Sequence, residues 1–141
     1  MIVYFDTSAF VPLLVKEPSS EFCRRLWDDA DDVVSTRLLY VECAAALAHA
    51  LRLGRLTTRS HRSTLRMLDR LWSEFAVAEL DQTVMSRAAE LAYDHALRGY
   101  DAVHCASAEQ LDGGDLVVAS GDQQLLQACA SLGLATADSR P

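Results

Sequence analysis

Four acidic residues stand at positions from which their carboxylates can act together. Asp6 and Asp122 each follow a short apolar run that is typical of a buried strand. Glu42 lies inside an apolar helical segment, and Asp101 begins another. Ligands of open parallel sheets bind at the carboxyl ends of the strands. We therefore expect the four carboxylates to meet at that edge of a sheet.

The chemistry of such a cluster points to a divalent cation. Four bare carboxylates in one pocket would repel one another, and some of them would bind protons. Oxygen ligands without a set of His or Cys side chains favour Mg²⁺ or Mn²⁺ over zinc. A bound cation of this kind polarises a phosphoryl oxygen, lowers the pKa of an attacking water and stabilises the leaving oxygen. The pattern therefore indicates metal-dependent hydrolysis of phosphodiesters.

The remainder of the chain alternates between strand and helix patterns. Buried strands are predicted at 2–5, 33–36, 75–80 and 116–119, with an edge strand at 134–136. Helical patterns fill most of the sequence between them. Strands that alternate with helices form parallel sheets that are covered on both faces. We therefore expect one α/β domain over 1–141 with a mainly parallel central sheet.

Three segments carry further local expectations. The helix predicted at 37–53 has an apolar stripe that we expect to face the core, formed by Leu38, Val41, Ala45, Ala48 and Leu51. The tail at 138–141 is expected to be loose. The acidic run at 28–32 is interpreted as a solvated helix end, in preference to a metal cluster.

A basic segment at 52–70 contrasts with the net charge of −7. It holds six of the thirteen basic residues, and the four arginines from Arg59 to Arg70 recur every three or four positions, so they share one helix face. We expect a helical hairpin here that binds phosphates or an acidic partner, with an ordinary solvated face as the alternative. The candidates for RNA or phosphate contact are Arg55, Arg59, Arg62 and Arg66.

Composition limits the class of protein. A chain of 141 residues that is 50% hydrophobic can bury one sizeable core and is not disordered. It has no apolar run of the ~20 residues that span a bilayer and no signal-peptide pattern, so we expect a cytoplasmic protein with no membrane partner. The four cysteines are widely spaced, which argues against a zinc or redox motif.

Four short motifs together resemble the PIN-domain ribonucleases, and specifically the VapC toxins of bacterial VapBC toxin–antitoxin pairs. They occur in the family's order and span nearly the whole chain. The motifs are Phe5-Asp6-Thr7-Ser8, Val34-Ser35-Thr36 with Tyr40-Val41-Glu42, Tyr100-Asp101-Ala102-Val103-His104, and Ala119-Ser120-Gly121-Asp122 with Leu125.

The resemblance implies a PIN-like three-layer α/β/α fold and a Mg²⁺-dependent endoribonuclease, with Mn²⁺ as a substitute. Asp6 and Asp101 would be the principal metal ligands, while Glu42 and Asp122 would complete the acidic site. The neighbouring hydroxyl residues Thr7, Ser8 and Ser120 would support these acids. His104 is interpreted as a packing residue or a hydrogen-bond partner of the site, in preference to a general base.

The resemblance also implies partners. VapC toxins are held inactive by a VapB antitoxin whose C-terminal segment lies near the acids, and an exposed cluster of carboxylates attracts a guanidinium. RNA would be the substrate, and a homodimer is expected.

Two alternatives remain open at this point. Phe5-Asp6-Thr7-Ser8 also suits a phosphatase of the haloacid-dehalogenase type with Asp6 as nucleophile, although Ser8 stands where that family has a second acid. The chain can also be a non-catalytic interaction module that keeps the fold for binding alone.

Overall fold

The computed structural model describes all 141 residues and contains a five-stranded sheet in which every pair of neighbouring strands is parallel. The strand order is β3-β2-β1-β4-β5. The strands are β1 (Ile2–Phe5), β2 (Asp32–Thr36), β3 (Ala76–Ala78), β4 (Leu116–Ser120) and β5 (Ala135–Asp138). β1 is therefore central, and the carboxyl ends of all the strands lie along one edge. The prediction of an α/β fold with a mainly parallel sheet is confirmed.

Seven helices connect or follow the strands. They are α1 (Thr7–Leu14), α2 (Ser20–Asp29), α3 (Leu38–Arg52), α4 (Thr58–Trp72), α5 (Gln82–His95), α6 (Gly99–Leu111) and α7 (Gln123–Ser131). None of them combines the length and the apolar character that crossing a membrane requires.

The side chains of β1 alternate between two cores. Val3 and Phe5 pack with residues of α1 to α4, whereas Ile2 and Tyr4 pack with residues of α5 to α7. Successive side chains of a strand point to opposite faces of a sheet, so a strand that is apolar at every position is covered on both sides. The molecule is therefore the expected three-layer α/β/α arrangement.

An aromatic cluster fills the first core beneath α1. Phe10 is fully buried, and its ring centroid lies 5.2 Å from that of Phe75, 6.0 Å from Trp27 and 6.5 Å from Phe5. The Phe75 and Phe5 contacts are edge-to-face, which is a preferred arrangement of aromatic rings. The cluster holds α1 on the sheet beside the carboxyl end of β1.

The basic helical hairpin is formed by α3 and α4, which are joined by a turn at 53–57. Gly54 in this turn has a φ of +75°, a left-handed conformation that favours glycine. The Tyr40 hydroxyl of α3 donates to Asp69 of α4 at 2.6 Å. The two helices thus present the arginines of α4 from a packed scaffold.

The prediction for the buried face of α3 is wrong. Its buried residues are Leu39, Cys43 and Leu47, whereas the predicted stripe includes Val41, which is 57% exposed. The helix is apolar on most of its circumference, so spacing alone does not identify the side that packs. With Cys43 buried, its neighbour Glu42 lies at the border of the packed face.

The prediction of a loose tail at 138–141 is also wrong. Asp138 ends β5, and Ser139 is buried, with its amide donating to the carbonyl of Ser120 at 2.9 Å. A Cβ placed on Gly121 would lie 3.1 Å from the Ser139 hydroxyl, so there is little room for a side chain. The tail therefore closes the sheet beside the carboxyl end of β4.

Candidate active site

Asp6 follows the central strand and is the most enclosed of the four candidate acids, at 4% exposure. Its Oδ1 accepts hydrogen bonds from the Ser8 hydroxyl at 2.8 Å and the Ala9 amide at 3.0 Å. Its Oδ2 accepts from the Ser120 hydroxyl at 2.7 Å. The Ala9 contact makes Asp6 the N-cap of α1. Burial raises the pKa of Asp6, although nearby His104 and the hydrogen bonds from Ser120 and Ser8 oppose the shift.

Glu42 reaches the same region from α3. Its Oε1 accepts from the Thr7 hydroxyl at 2.9 Å and contacts Nε2 of His104 at 2.7 Å. These two contacts occupy one carboxylate oxygen and connect α3 to both α1 and α6. The hydroxyl residues predicted to support the acids therefore contact them: Thr7 contacts Glu42, and Ser8 and Ser120 contact Asp6.

Asp101 and Asp122 are bridged by the side chain of Arg98. Arg98 Nε lies 3.4 Å from Asp101, and Arg98 Nη2 lies 3.5 Å from Asp122. α6 begins at Gly99, so Asp101 lies in its first turn and does not begin the helix as predicted. Asp122 is the N-cap of α7 and accepts from the Leu125 amide at 3.1 Å. Burial and the charge of Asp122 raise the pKa of Asp101, and Arg98 opposes this shift.

The four candidate acids line one cavity of about 430 Å³ at the carboxyl edge of the sheet. They are Asp6, Glu42, Asp101 and Asp122. No three His, Cys, Asp or Glu side chains lie close enough together to coordinate one ion in this conformation. The Arg98 guanidinium, between two of the acids, supplies the positive charge that an ion would supply.

The donor set nevertheless fits a hard divalent cation. The cavity wall combines carboxylates with the hydroxyls of Thr7 and Ser8, and it contains no cysteine. Such oxygen donors suit Mg²⁺ or Mn²⁺. The negative charge of Asp122 adds to burial in raising the pKa of Asp101, and a cation between these two carboxylates would relieve their repulsion. Arg98 is 81% exposed, so its side chain can leave the acids without disturbing the core.

Sequence reasoning missed three residues of the site. Arg98 bridges two acids, and its spacing of three residues before Asp101 is the signal that could have identified it. Glu17 lines the cavity from the segment after α1, and nothing in its sequence context indicates this. Tyr4 contacts His104 at 2.8 Å, but its apolar surroundings suggest only a core residue.

The arginines of the basic hairpin lie apart from the acids. Arg59, Arg62 and Arg66 are exposed on α4, and none of them lines the acidic cavity. Arg55 instead lines an adjoining cavity of about 590 Å³ between α1, α3 and α4, which shares Glu17 with the acidic cavity. That these arginines contact RNA therefore stays a prediction.

Comparison with known proteins agrees with this architecture. The PIN domain family model matches residues 3–130. Ribonuclease VapC49 of Mycobacterium tuberculosis (strain ATCC 25618 / H37Rv) is 45% identical over 124 residues, which cover 88% of this chain and 86% of the relative. Ribonuclease VapC46 of the same strain is 34% identical over 134 residues, with 94% of each chain covered.

Solved structures share the fold at lower sequence identity. FitAcB from Neisseria gonorrhoeae aligns with a TM-score of 0.73 at 20% identity, covering 99% of this chain and 98% of the other. A toxin–antitoxin complex from Klebsiella pneumoniae aligns with a TM-score of 0.69 at 13% identity, covering 98% of each chain. VapC20 of Mycobacterium tuberculosis aligns with a TM-score of 0.68 at 18% identity, covering 99% of each chain. It is described as a toxin that cleaves the sarcin–ricin loop.

The parallel sheet, the acids at its carboxyl edge and the match over most of the length show that the chain belongs to the PIN-domain family, among the VapC ribonucleases. The phosphatase alternative loses its basis, because the family model and the curated relatives are those of PIN-domain ribonucleases. Both carboxylate oxygens of Asp6 also accept hydrogen bonds from neighbouring hydroxyls.

Proposed function

We propose that this protein is a Mg²⁺-dependent endoribonuclease that acts as the toxin of a toxin–antitoxin pair. The observation that carries the proposal is the cavity at the carboxyl edge of the sheet, which all four candidate acids line. Relatives at 45% identity are named as ribonucleases, which supports RNA as the substrate. Mn²⁺ is expected to replace Mg²⁺.

Some residues of the site would hold the cation, and others orient the acids that hold it. Asp6 and Asp101 would hold the cation, with Glu42 and Asp122 completing its surroundings directly or through water. The cation would activate a water molecule and stabilise the leaving oxygen of the phosphodiester. Ser8 and Ser120 keep both oxygens of Asp6 oriented through hydrogen bonds of 2.8 and 2.7 Å. Arg98 would move from the acids to the RNA phosphate when the cation takes its place.

Cleavage assays with the purified, antitoxin-free protein test this function. Labelled RNA should be cut in Mg²⁺ or Mn²⁺ and should remain intact when EDTA removes the cation. An Asp28→Asn variant is the control, because Asp28 is an exposed acid at the end of α2. Equal cleavage with and without EDTA would contradict the metal dependence, and no cleavage under any condition would contradict the nuclease.

The basic hairpin is proposed as a surface that attracts RNA. Replacing Arg59, Arg62 and Arg66 together by Gln should reduce the salt dependence of RNA binding. For single strands the slope of log K against log salt is about −0.7 per phosphate contact, so loss of three contacts would change it by about 2. Binding should be measured in a cleavage-deficient background at several salt concentrations. Replacement of Arg24 and Arg25 on α2 is the matched control, and an unchanged slope in the triple variant would remove the hairpin from RNA binding.

The proposed inhibitor is a VapB-type antitoxin. Among the solved structures that share the fold is a toxin–antitoxin complex, which supports a partner of this class. An arginine from a basic peptide could enter the cavity beside Asp101 and Asp122, where this chain's own Arg98 now lies. A homodimer stays a prediction.

A further inference from the structure

A chain of hydrogen bonds runs from the core to Glu42. The Tyr4 hydroxyl lies 2.8 Å from Nδ1 of His104, and Nε2 of His104 lies 2.7 Å from Oε1 of Glu42. Thr7 donates to the same oxygen at 2.9 Å. Tyr4 is fully buried and His104 is 2% exposed. The chain therefore connects β1, α6, α3 and α1, which are four elements that carry or adjoin the proposed metal site.

The partners assign the hydrogens along this chain. A carboxylate oxygen accepts hydrogen bonds, so Nε2–H of His104 is the donor in the contact with Oε1 of Glu42. In the neutral imidazole, Nδ1 is then an acceptor, and the Tyr4 hydroxyl is its donor. Burial raises the pKa of Tyr4 well above its usual value, so the phenol keeps its proton. A Tyr4 hydroxyl that donates to Nδ1 therefore favours the tautomer of His104 whose Nε2–H faces Glu42.

A packing role alone does not require these polar groups. Tyr4 belongs to the core formed by β1 and α5 to α7, and His104 is buried beside its members Val103 and Cys105, where an aliphatic or phenyl side chain would fill the space. Burying a hydroxyl and an imidazole costs free energy unless each is hydrogen-bonded. Here the Tyr4 hydroxyl is hydrogen-bonded to the His104 imidazole, and the imidazole is hydrogen-bonded to Oε1 of Glu42. The other oxygen, Oε2, belongs to a side chain that lines the acidic cavity.

We propose that Tyr4 and His104 are positioning residues that hold Oε1 of Glu42 and leave Oε2 to face the cation or its bound water. This inference rests on the proposed function, because Glu42 is assigned there to the metal site. It does not give His104 a proton-transfer step, since both ring nitrogens are already engaged. Partners that orient acidic ligands are typically worth about 10- to 100-fold in metal affinity or activity.

Mn²⁺ binding followed by electron paramagnetic resonance tests the inference without RNA. His104→Leu should weaken Mn²⁺ binding by about tenfold or more. Tyr4→Phe should have a smaller effect in the same direction, because it removes only the selection of the tautomer. His104→Gln should recover most of the affinity, since its amide can donate near the position of Nε2.

Cys105→Ala is the matched control. Cys105 is the next residue of α6, is fully buried and contacts Cys129, not the acids. The Cys105→Ala substitution should lower the thermal midpoint of unfolding without changing the affinity for Mn²⁺. If His104→Leu and Cys105→Ala leave the Mn²⁺ dissociation constant equally unchanged, or if His104→Gln is as weak as His104→Leu, the positioning role is wrong.

A double-mutant cycle with Glu42→Ala separates action through Glu42 from a general effect on the fold. If His104 acts through Glu42, His104→Leu should have less than about a twofold effect once Glu42 is absent. An undiminished effect in that background would contradict the inference. Absence of Mn²⁺ binding by the wild-type protein would instead contradict the proposed function, so the two failures are distinguishable.

Discussion

Replacement of Asp6 by Asn is expected to lower RNA cleavage by about 10³-fold, which corresponds to about 4 kcal/mol of transition-state stabilisation. The substitution removes the charge of the most enclosed acid while keeping its shape. Asn is as good an N-cap as Asp, so the hydrogen bond from the Ala9 amide that begins α1 can remain. The loss should therefore appear in the rate and not in the fold.

The same substitution should raise thermal stability at neutral pH in the absence of metal. Burial raises the pKa of Asp6, so ionising this carboxyl group costs more free energy in the folded protein than in the unfolded chain. A carboxyl group with a raised pKa favours the folded state at low pH, and this contribution is lost as pH rises through the folded pKa. The stability difference between Asp6→Asn and wild type should thus grow as pH rises from the acidic range.

Cleavage rates and thermal midpoints measured in parallel check both parts of the prediction. Asp28→Asn is the control for removing one negative charge, since Asp28 is exposed and does not line the cavity. An Asp6→Asn protein that is folded and still cuts RNA at near the wild-type rate would contradict the assignment of Asp6 to the metal site. A lower thermal midpoint than wild type would contradict the burial argument.

Replacement of Phe10 by Ala is expected to lower the free energy of unfolding by about 3–5 kcal/mol, because it empties the centre of a packed aromatic cluster. Phe10 is fully buried and contacts Phe75, Trp27 and Phe5 with ring centroids 5.2 to 6.5 Å apart. Domains of this size have a total stability of about 5–15 kcal/mol. The variant is therefore expected to be only marginally folded.

Urea unfolding followed by fluorescence gives the measurement, because Trp27 reports directly on the cluster. Tyr93→Ala is the matched aromatic control, since Tyr93 is 90% exposed and a surface substitution should change stability by less than about 0.5 kcal/mol. A loss below about 1 kcal/mol for Phe10→Ala would mean that the core collapses into the space. Such a result would contradict the interpretation that the aromatic cluster holds α1 on the sheet.

The parts of the fold that follow from the sequence are those with one dominant physical cause. β1 and the first four residues of β4 are consecutive apolar residues, which is typical of a strand covered on both faces. Asp6 follows β1 directly and Asp122 follows β4 after one glycine, so their arrival at one edge of a parallel sheet follows from the fold class. The acids of α3 and α6 reach the same cavity, as the alternation of strands and helices and the family resemblance together predicted.

The errors occurred where several arrangements satisfy the same pattern. α3 is apolar on most sides, so its periodicity could not distinguish the face of Leu39 and Leu47 from that of Val41. The polar tail at 138–141 appeared loose because composition does not report that Ser139 pairs with the end of β4. Arg98 and the contact between Tyr4 and His104 depend on side-chain geometry between segments far apart in the chain.

The central place of β1 has a consequence during protein synthesis. β1 is made first, yet it pairs with β4, which is made only after most of the chain. Pairing between such distant segments is delayed by the entropy of closing the loop between them. A chain on the ribosome can contain Asp6 and Glu42 for some time without Ser120 or Asp122. The acidic cavity, which Asp122 helps to line, therefore cannot be complete before β4 has left the ribosome.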